Sequence, residues 1–127
     1  MALDLKALAQ SLGTVEHFHG LSPDELLGIV RSGQIKRYAA QQVIFVEDEP
    51  SQGLFVLLTG RIQLCKLSPQ GQISIMGIFE PVIMFNEVSA VDRGPTPATA
   101  IALEDCIIWR MPAEDLEELI LHYPRIG

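Results

Sequence analysis

Residues Leu54–Pro81, LFVLLTGRIQLCKLSPQGQISIMGIFEP, decide the fold. Three β-rich runs, LFVLL, RIQLCKL and ISIMGIF, are broken by Thr59-Gly60 and by Ser68-Pro69-Gln70-Gly71. Branched and aromatic side chains suit a pleated, half-buried surface. In IQLCKL, Ile62, Leu64 and Lys66 alternate with Gln63 and Cys65, the period of a strand with one face inward. SPQG reads as a hairpin turn, with Pro69 early and Gly71 free to take a positive φ.

The same grammar extends outward. IKRY and VIFV precede the stretch, and PVIMF, ATAIAL and CIIWR follow it. AAQQ, EDEPSQG and RGPTP separate these runs as turns. Eight short strands between Gln34 and Arg110 predict a double-sheet roll rather than an open parallel sheet.

Helices flank the strands. Leu5, Leu8 and Leu12 have helical spacing, and Gly13 is the expected stop. In LSPDELLGIVRSG, Ser22 is an N-cap, Pro23 suits the first helical position, and Glu25 completes a capping box. Leu26, Leu27, Ile29 and Val30 make the buried face, and Gly33 is the expected end. After the strands, Pro112 fits a first helical turn, and Glu114 and Asp115 favour an N-terminus. Leu116, Leu119, Ile120 and Tyr123 form an apolar stripe that Pro124 interrupts. One domain is expected: helices over 1–33, a roll over 34–110, and the start of a helical region over 111–127.

Composition narrows the function. The chain has 127 residues, 48% of them hydrophobic, enough for one real core. The net charge of -7 argues against a nucleic-acid surface on this segment. Cys65 and Cys106 are too few for a disulfide framework and lie in apolar runs, so buried reduced thiols are expected. No apolar run reaches the ~18 residues of a membrane span, and no secretory signal is visible, so a cytoplasmic, non-membrane protein is expected. No nucleophile–base pair or metal-ligand spacing stands out, so no enzyme is expected.

Order and residues together resemble the cyclic-nucleotide-binding fold. LSPDEL precedes the roll, IKRYAAQQVIFVEDE is similar to the family's first hairpin, and Leu54–Pro81 is similar to its central strands, with Gly60 and Gly71 in the turns. FNEVSAV stands where the family's phosphate-binding cassette begins, and MPAEDLEELI where its closing helix begins. Residues 14 to 124 carry the resemblance, and the sensor domains of Crp/Fnr-like bacterial transcription regulators are the most similar branch. The resemblance implies a mainly β fold with flanking α, a double-stranded β-helix or jelly-roll-like β-roll. It implies a sensor and dimerisation domain followed, beyond this chain, by a dimer helix and a winged helix-turn-helix. A homodimer is then expected for the full-length form, with DNA bound only through the absent part. Two alternatives are a regulatory module of a kinase, channel or transporter, and a stand-alone structural or interaction domain.

In a nucleotide-binding member the cassette reads F-G-E-L-A-L, a loop, then R-S/T-A. The glutamate takes the ribose hydroxyl and the arginine the cyclic phosphate. The candidate cassette here comprises Asn86, Glu87, Val88, Ser89, Arg93, Thr96, Pro97, Ala98 and Thr99. Glu87 keeps the glutamate position, Asn86 replaces the glycine, and Thr96-Pro97-Ala98 stands at R-S-A. Gln41, Asp48 and Val82 stand at other usual turn glycines. The expectation is a small-molecule effector of unknown identity, with cyclic nucleotide disfavoured. Arg93, three residues upstream of Thr96, either turns inward or stays solvated, and the second is expected. Glu87 either keeps a ribose or holds its own turn by bonding backbone N–H groups, and the second is expected.

The remaining singular residues have ordinary readings. His17, His19 and His122 are expected at the surface, without metal or haem. Trp109 is expected as a core anchor, and Met76, Met84 and Met111 as filling for the roll interior.

Overall fold

The computed structural model describes residues 9–10, 13, 20–50, 52–85 and 95–122, apart from the side chains of 116 and 120. Helix α1, Pro23–Arg31, starts as its sequence requires. Ser22 Oγ accepts from the Glu25 N–H at 3.1 Å, and Glu25 Oε1 accepts from the Ser22 N–H at 2.9 Å. Two donors left over at the helix start are thus satisfied. Leu26, Ile29 and Val30 are buried. The C-cap is Ser32, whose N–H donates to the Ile29 carbonyl at 3.0 Å, while the Gly33 N–H donates to the Val30 carbonyl at 3.3 Å. Gly33 follows the cap as expected, without a positive φ, and it also serves packing: a Cβ there would collide with the Trp109 indole. Of the expected first helix, Ala9, Gln10 and Gly13 are described, and all are helical, so Gly13 is not the stop.

All eight expected strands are present. They are β1 Gln34–Tyr38, β2 Val43–Phe45, β3 Leu54–Thr59, β4 Ile62–Leu67, β5 Ile73–Phe79, β6 Ile83–Phe85, β7 Thr99–Ala102 and β8 Cys106–Met111. Helix α2, Ala113–His122, follows directly, with Pro112 just ahead of it rather than in its first turn. The strands form two four-stranded antiparallel sheets, β1-β8-β3-β6 and β2-β7-β4-β5. The fold is mainly β, a jelly-roll-like roll with flanking helices.

Strand alternation builds two cores. Phe55 and Leu57 of β3 and Cys106 and Ile108 of β8 face the space between the sheets, with Phe45, Ile62, Phe85, Ala100 and Ala102. Leu54, Val56, Trp109 and Met111 face the other way, against Leu26, Ile29 and Val30 of α1 and Leu119 of α2. Trp109 is fully buried, and its Nε1 donates to the Val30 carbonyl at 3.1 Å. Burying one such side chain contributes roughly 1.5–3 kcal/mol.

Three expectations about side chains change. Met76 is 55% exposed, while Met84 and Met111 lie in the layer under the helices, so none of the three fills the roll interior. Cys65 is buried and Lys66 exposed, against the alternation expected in IQLCKL. The hairpin's register shifts between Leu64 and Cys65, and Met76 is left without a partner on β4. Leu67, Ile73, Ile75 and Ile78 join Met76 as an exposed apolar row on this hairpin. Among the described residues, no helix is long and apolar enough to cross a membrane.

Turn chemistry matches the sequence at most positions. Gly71 has φ +85°, and its N–H donates to the Ser68 carbonyl at 2.9 Å. Gln41 and Asp48 take φ of 74° and 69°, as the turn-glycine reading expects, but Val82 is not a positive-φ residue. Gly60 has φ +91°, and a Cβ there would stand 2.6 Å from the Asp105 carbonyl oxygen and 2.7 Å from Cys106 Sγ.

Two opposite shifts in urea-unfolding free energy are expected. Gly60→Ala meets both a left-handed backbone and a closed space and costs about 2–4 kcal/mol. Gln41→Gly relieves ~1–2 kcal/mol of left-handed strain against ~0.5–1 kcal/mol of added chain entropy, a net gain of about 0.5–1 kcal/mol.

Candidate functional site

One end of the roll is built where the turn after β2 lies against the chain entering β7. The Asp48 N–H donates to the Thr96 carbonyl at 2.8 Å, and the Thr96 N–H to the Glu49 carbonyl at 2.9 Å. Pro50 and Pro95 form a bridge beyond them. The positive φ of Asp48 turns the chain so that these bonds form. Glu47 adds two links: its N–H donates to Thr99 Oγ1 at 3.0 Å, and its Oε1 accepts from the Leu67 N–H at 3.3 Å.

Thr96 and Ala98 continue the inward row of β7. Thr96, Ala98, Ala100 and Ala102 are buried, whereas Pro97 is exposed and Thr99 and Ile101 are half-buried. Ala100 lies opposite Leu64 of β4 and is paired with Phe45 of β2. The Phe45, Phe55 and Phe85 rings meet at centroid distances of 5.2, 5.9 and 5.3 Å. Small side chains on one wall thus face aromatic rings on the others.

The candidate residues separate on this frame. Thr96 and Ala98 point to the interior side. Pro97 lies on the solvent side and has no N–H to offer a ligand. The Thr99 hydroxyl is already engaged by Glu47. Asn86, Glu87, Val88, Ser89 and Arg93 lie outside the described residues, as do His17, His19 and Tyr123. The Thr96 hydroxyl is 1% exposed with the residue and has no hydrogen-bond partner. Sequence reading marks Thr96 as a lost arginine; its stranded oxygen has no sequence signal.

The profile of the cyclic nucleotide-binding domain matches residues 35–123. The chain belongs to the cyclic nucleotide-binding domain family. A solved structure of the Thermus thermophilus Catabolite Activator Protein superposes with a TM-score of 0.81 at 29% identity, covering 87% of this chain and 52% of the other. The CRP-like cAMP-activated global transcriptional regulator of Mycobacterium tuberculosis is 25% identical over 110 residues, 87% of this chain and 49% of its own. The Acetyltransferase Pat of Mycolicibacterium smegmatis is 26% identical over 116 residues, 91% of this chain and 34% of its own. The domain of this family therefore occurs in regulators and beside a catalytic domain, and this chain spans about half the length of the curated regulators it matches.

At the opposite end of the roll a cleft of about 510 Å³ is lined by Tyr38, Gln42, Thr59, Asp105 and Cys106, among others. Several of its polar groups already hold turns. Gln42 Oε1 accepts from the Ala39 N–H and Asp105 Oδ1 from the Ala40 N–H, both at 3.0 Å. Cys106 Sγ shares its hydrogen between the Glu104 and Arg61 carbonyls at 3.2 and 3.3 Å. Burial pushes the Cys106 thiol up from its usual 9.0, and pushes the Tyr38 phenol up from 10.0 with Arg110 opposing. Among the described residues no group of His, Cys, Asp and Glu could hold a metal.

These shifts fix the sign of the alkaline response. Both groups bind their proton more tightly folded than unfolded. Their contribution is fully present below pH ~9 and is lost as pH rises through the folded values. The melting temperature, followed by circular dichroism, is expected to fall between pH 9 and 11, and more gently in Tyr38→Phe. Cys65 and Cys106, both free and buried, are expected to resist alkylation until the protein unfolds.

Proposed function

We propose that this domain is the effector-sensing part of a Crp/Fnr-like transcription regulator, and that its cassette does not take cyclic AMP in the usual way. The observation that carries this reading is Thr96, a neutral buried side chain at the position matched to the phosphate-holding arginine. The adjoining turn adds three acidic residues, Glu47, Asp48 and Glu49, two of them hydrogen-bonded through their backbones to Thr96. Pro97 supplies no N–H and lies on the solvent side.

A cyclic phosphodiester carries a full negative charge. Burying it without a cation costs several kcal/mol. A charge-assisted hydrogen bond from arginine would contribute about 1.5–3 kcal/mol. Losing that bond and the neighbouring hydroxyl weakens binding by roughly 100-fold or more. Arg93 stands three residues away in sequence as the cassette's remaining cation.

The output side of the reading rests on the relatives. Occupancy of the roll would bias two arrangements of a following dimer helix, and so of DNA-binding heads beyond this chain. The exposed apolar row on the β4–β5 hairpin supports association of the full-length form as a homodimer. The domain itself is proposed to be non-enzymatic and cytoplasmic. The second reading, a regulatory module on a catalytic or transport protein, is favoured by the likeness to the acetyltransferase. A longer gene product with a basic helix-turn-helix supports the first reading, and one with a catalytic domain the second.

Calorimetric titration with cyclic AMP and cyclic GMP tests the cassette. No binding at micromolar concentration is expected for the wild-type domain, and micromolar affinity would sink the reading. Thr96→Arg with Pro97→Ser is expected to create or strengthen that binding by about 100-fold, restoring the cation and the hydroxyl together.

A further inference from the structure

Four strands end the two sheets: β1 and β6 in one, β2 and β5 in the other. An edge strand presents unpaired N–H and carbonyl groups to any extended chain, and proteins ordinarily blunt such edges by shortness, charge or proline. Three of the four follow that rule. β2 and β6 have three residues each, and β1 carries Lys36 and Arg37. β5, Ile73–Phe79, does not. At seven residues it is the longest strand among the described residues, and ISIMGIF holds no charge and no proline. Its one irregularity is the bulge at Met76.

The side chains agree with the backbone. Ile73, Ile75, Met76 and Ile78 are each more than half exposed, and Ser74 among them is exposed too. Over Ile73–Met76 the strand is therefore uncovered on both faces as well as along one edge. Leu67, opposite Ile73 on β4, extends the exposed row. The other sheet shows how this fold treats such side chains when they have a partner: Leu54, Val56, Trp109 and Met111 lie buried under the helices.

Charge selects the partner. The chain carries a net charge of -7, so two copies repel over most of their surface. From Pro50 to Phe79 no Asp or Glu occurs, so two copies meet the least repulsion at the β5 edge. Antiparallel pairing about a two-fold axis sets the start of one β5 beside the end of the other. Lys66 is paired with Ser74 near the start of β5, and Glu80 follows its end; both are exposed. Each Lys66 then lies about two strand spacings, roughly 10 Å, from Glu80 of the other copy. Exposed charges still attract over about that distance at 0.1 M salt. In a parallel pairing the like charges would meet instead.

We propose that β5 joins two copies of this domain edge to edge, in antiparallel pairing, so that two four-stranded sheets become one continuous sheet. The joint satisfies the outer backbone groups of β5 and covers Ile73, Ile75 and Ile78 with their counterparts. It goes beyond the sensor reading and does not rest on it, because neither an effector nor the cassette takes part.

Sedimentation velocity of the 127-residue chain tests the joint. Between about 1 μM and 1 mM, the range of weak specific association, the wild type is expected to pass from monomer to dimer. Ile75→Lys and Ile78→Lys, which add the charge that blunted edges carry, are each expected to weaken the dimer at least ~10-fold. Both side chains are already more than half exposed, so the circular dichroism spectrum and the melting temperature of the monomer are expected to stay as in the wild type. Single cysteines locate the joint in otherwise wild-type protein, since Cys65 and Cys106 are buried. At least one of Ile75→Cys and Met76→Cys, near the middle of β5, is expected to give a disulfide-linked dimer on mild oxidation. Leu121→Cys, exposed on α2, is expected not to. A wild-type chain that stays monomeric throughout overturns the proposal. So does a dimer that both lysine variants leave unweakened, or one that is linked through Leu121→Cys and through neither β5 cysteine.

Discussion

The hydrogen bond from Trp109 Nε1 to the Val30 carbonyl ties the two halves of this molecule together. Val30 ends the buried face of α1, and Trp109 lies in β8, the strand between β1 and β3. The carbonyl also accepts from the Gly33 N–H at 3.3 Å, so the indole adds a second bond at the C-terminal end of the helix. The ring then covers Gly33, where any side chain would displace it. That contact sets the helix against the sheet, and the sheet orders everything else. The same strand sends Cys106 and Ile108 into the roll and Trp109 and Met111 out to the helices. The two cores therefore share one backbone, and a shift at the helix is felt in the roll as strain rather than slack.

The cassette end is held differently. Backbone bonds between the β2 turn and the β7 entry, with the Glu47 links, fix its walls without a large apolar cluster of their own. Such a frame orders the chain while leaving a polar atom stranded within it. The helix side is tightly packed, and the cassette end retains one unmet hydrogen bond. The charge on that side matters as much as the shape. Three acidic residues, Glu47, Asp48 and Glu49, stand on the turn whose backbone is bonded to Thr96.

Much of the fold is legible from local pattern. The capping box at Ser22 and Glu25, the turn at Gly71 and the eight strand segments all follow from residues within a few positions of one another, whereas the positive φ at Gln41 and Asp48 was expected only through the family resemblance. The site was legible only in outline. Thr96-Pro97-Ala98 could be matched to the cassette by position only through the family resemblance. Which hydroxyl would be paired, and which left alone, depends on a turn about fifty residues away.

Sequence by itself determined where the chain turns and which segments form strands, because helix caps, turn backbones and strand periods are short-range properties. Tertiary structure alone decided that Met76 faces solvent, that Cys65 rather than Lys66 is buried, that Gly33 makes room for an indole, and that Thr96 keeps an oxygen with nothing to bind. Each of those depends on which distant strand or turn lies opposite, and burial and hydrogen bonding are settled only when those elements meet.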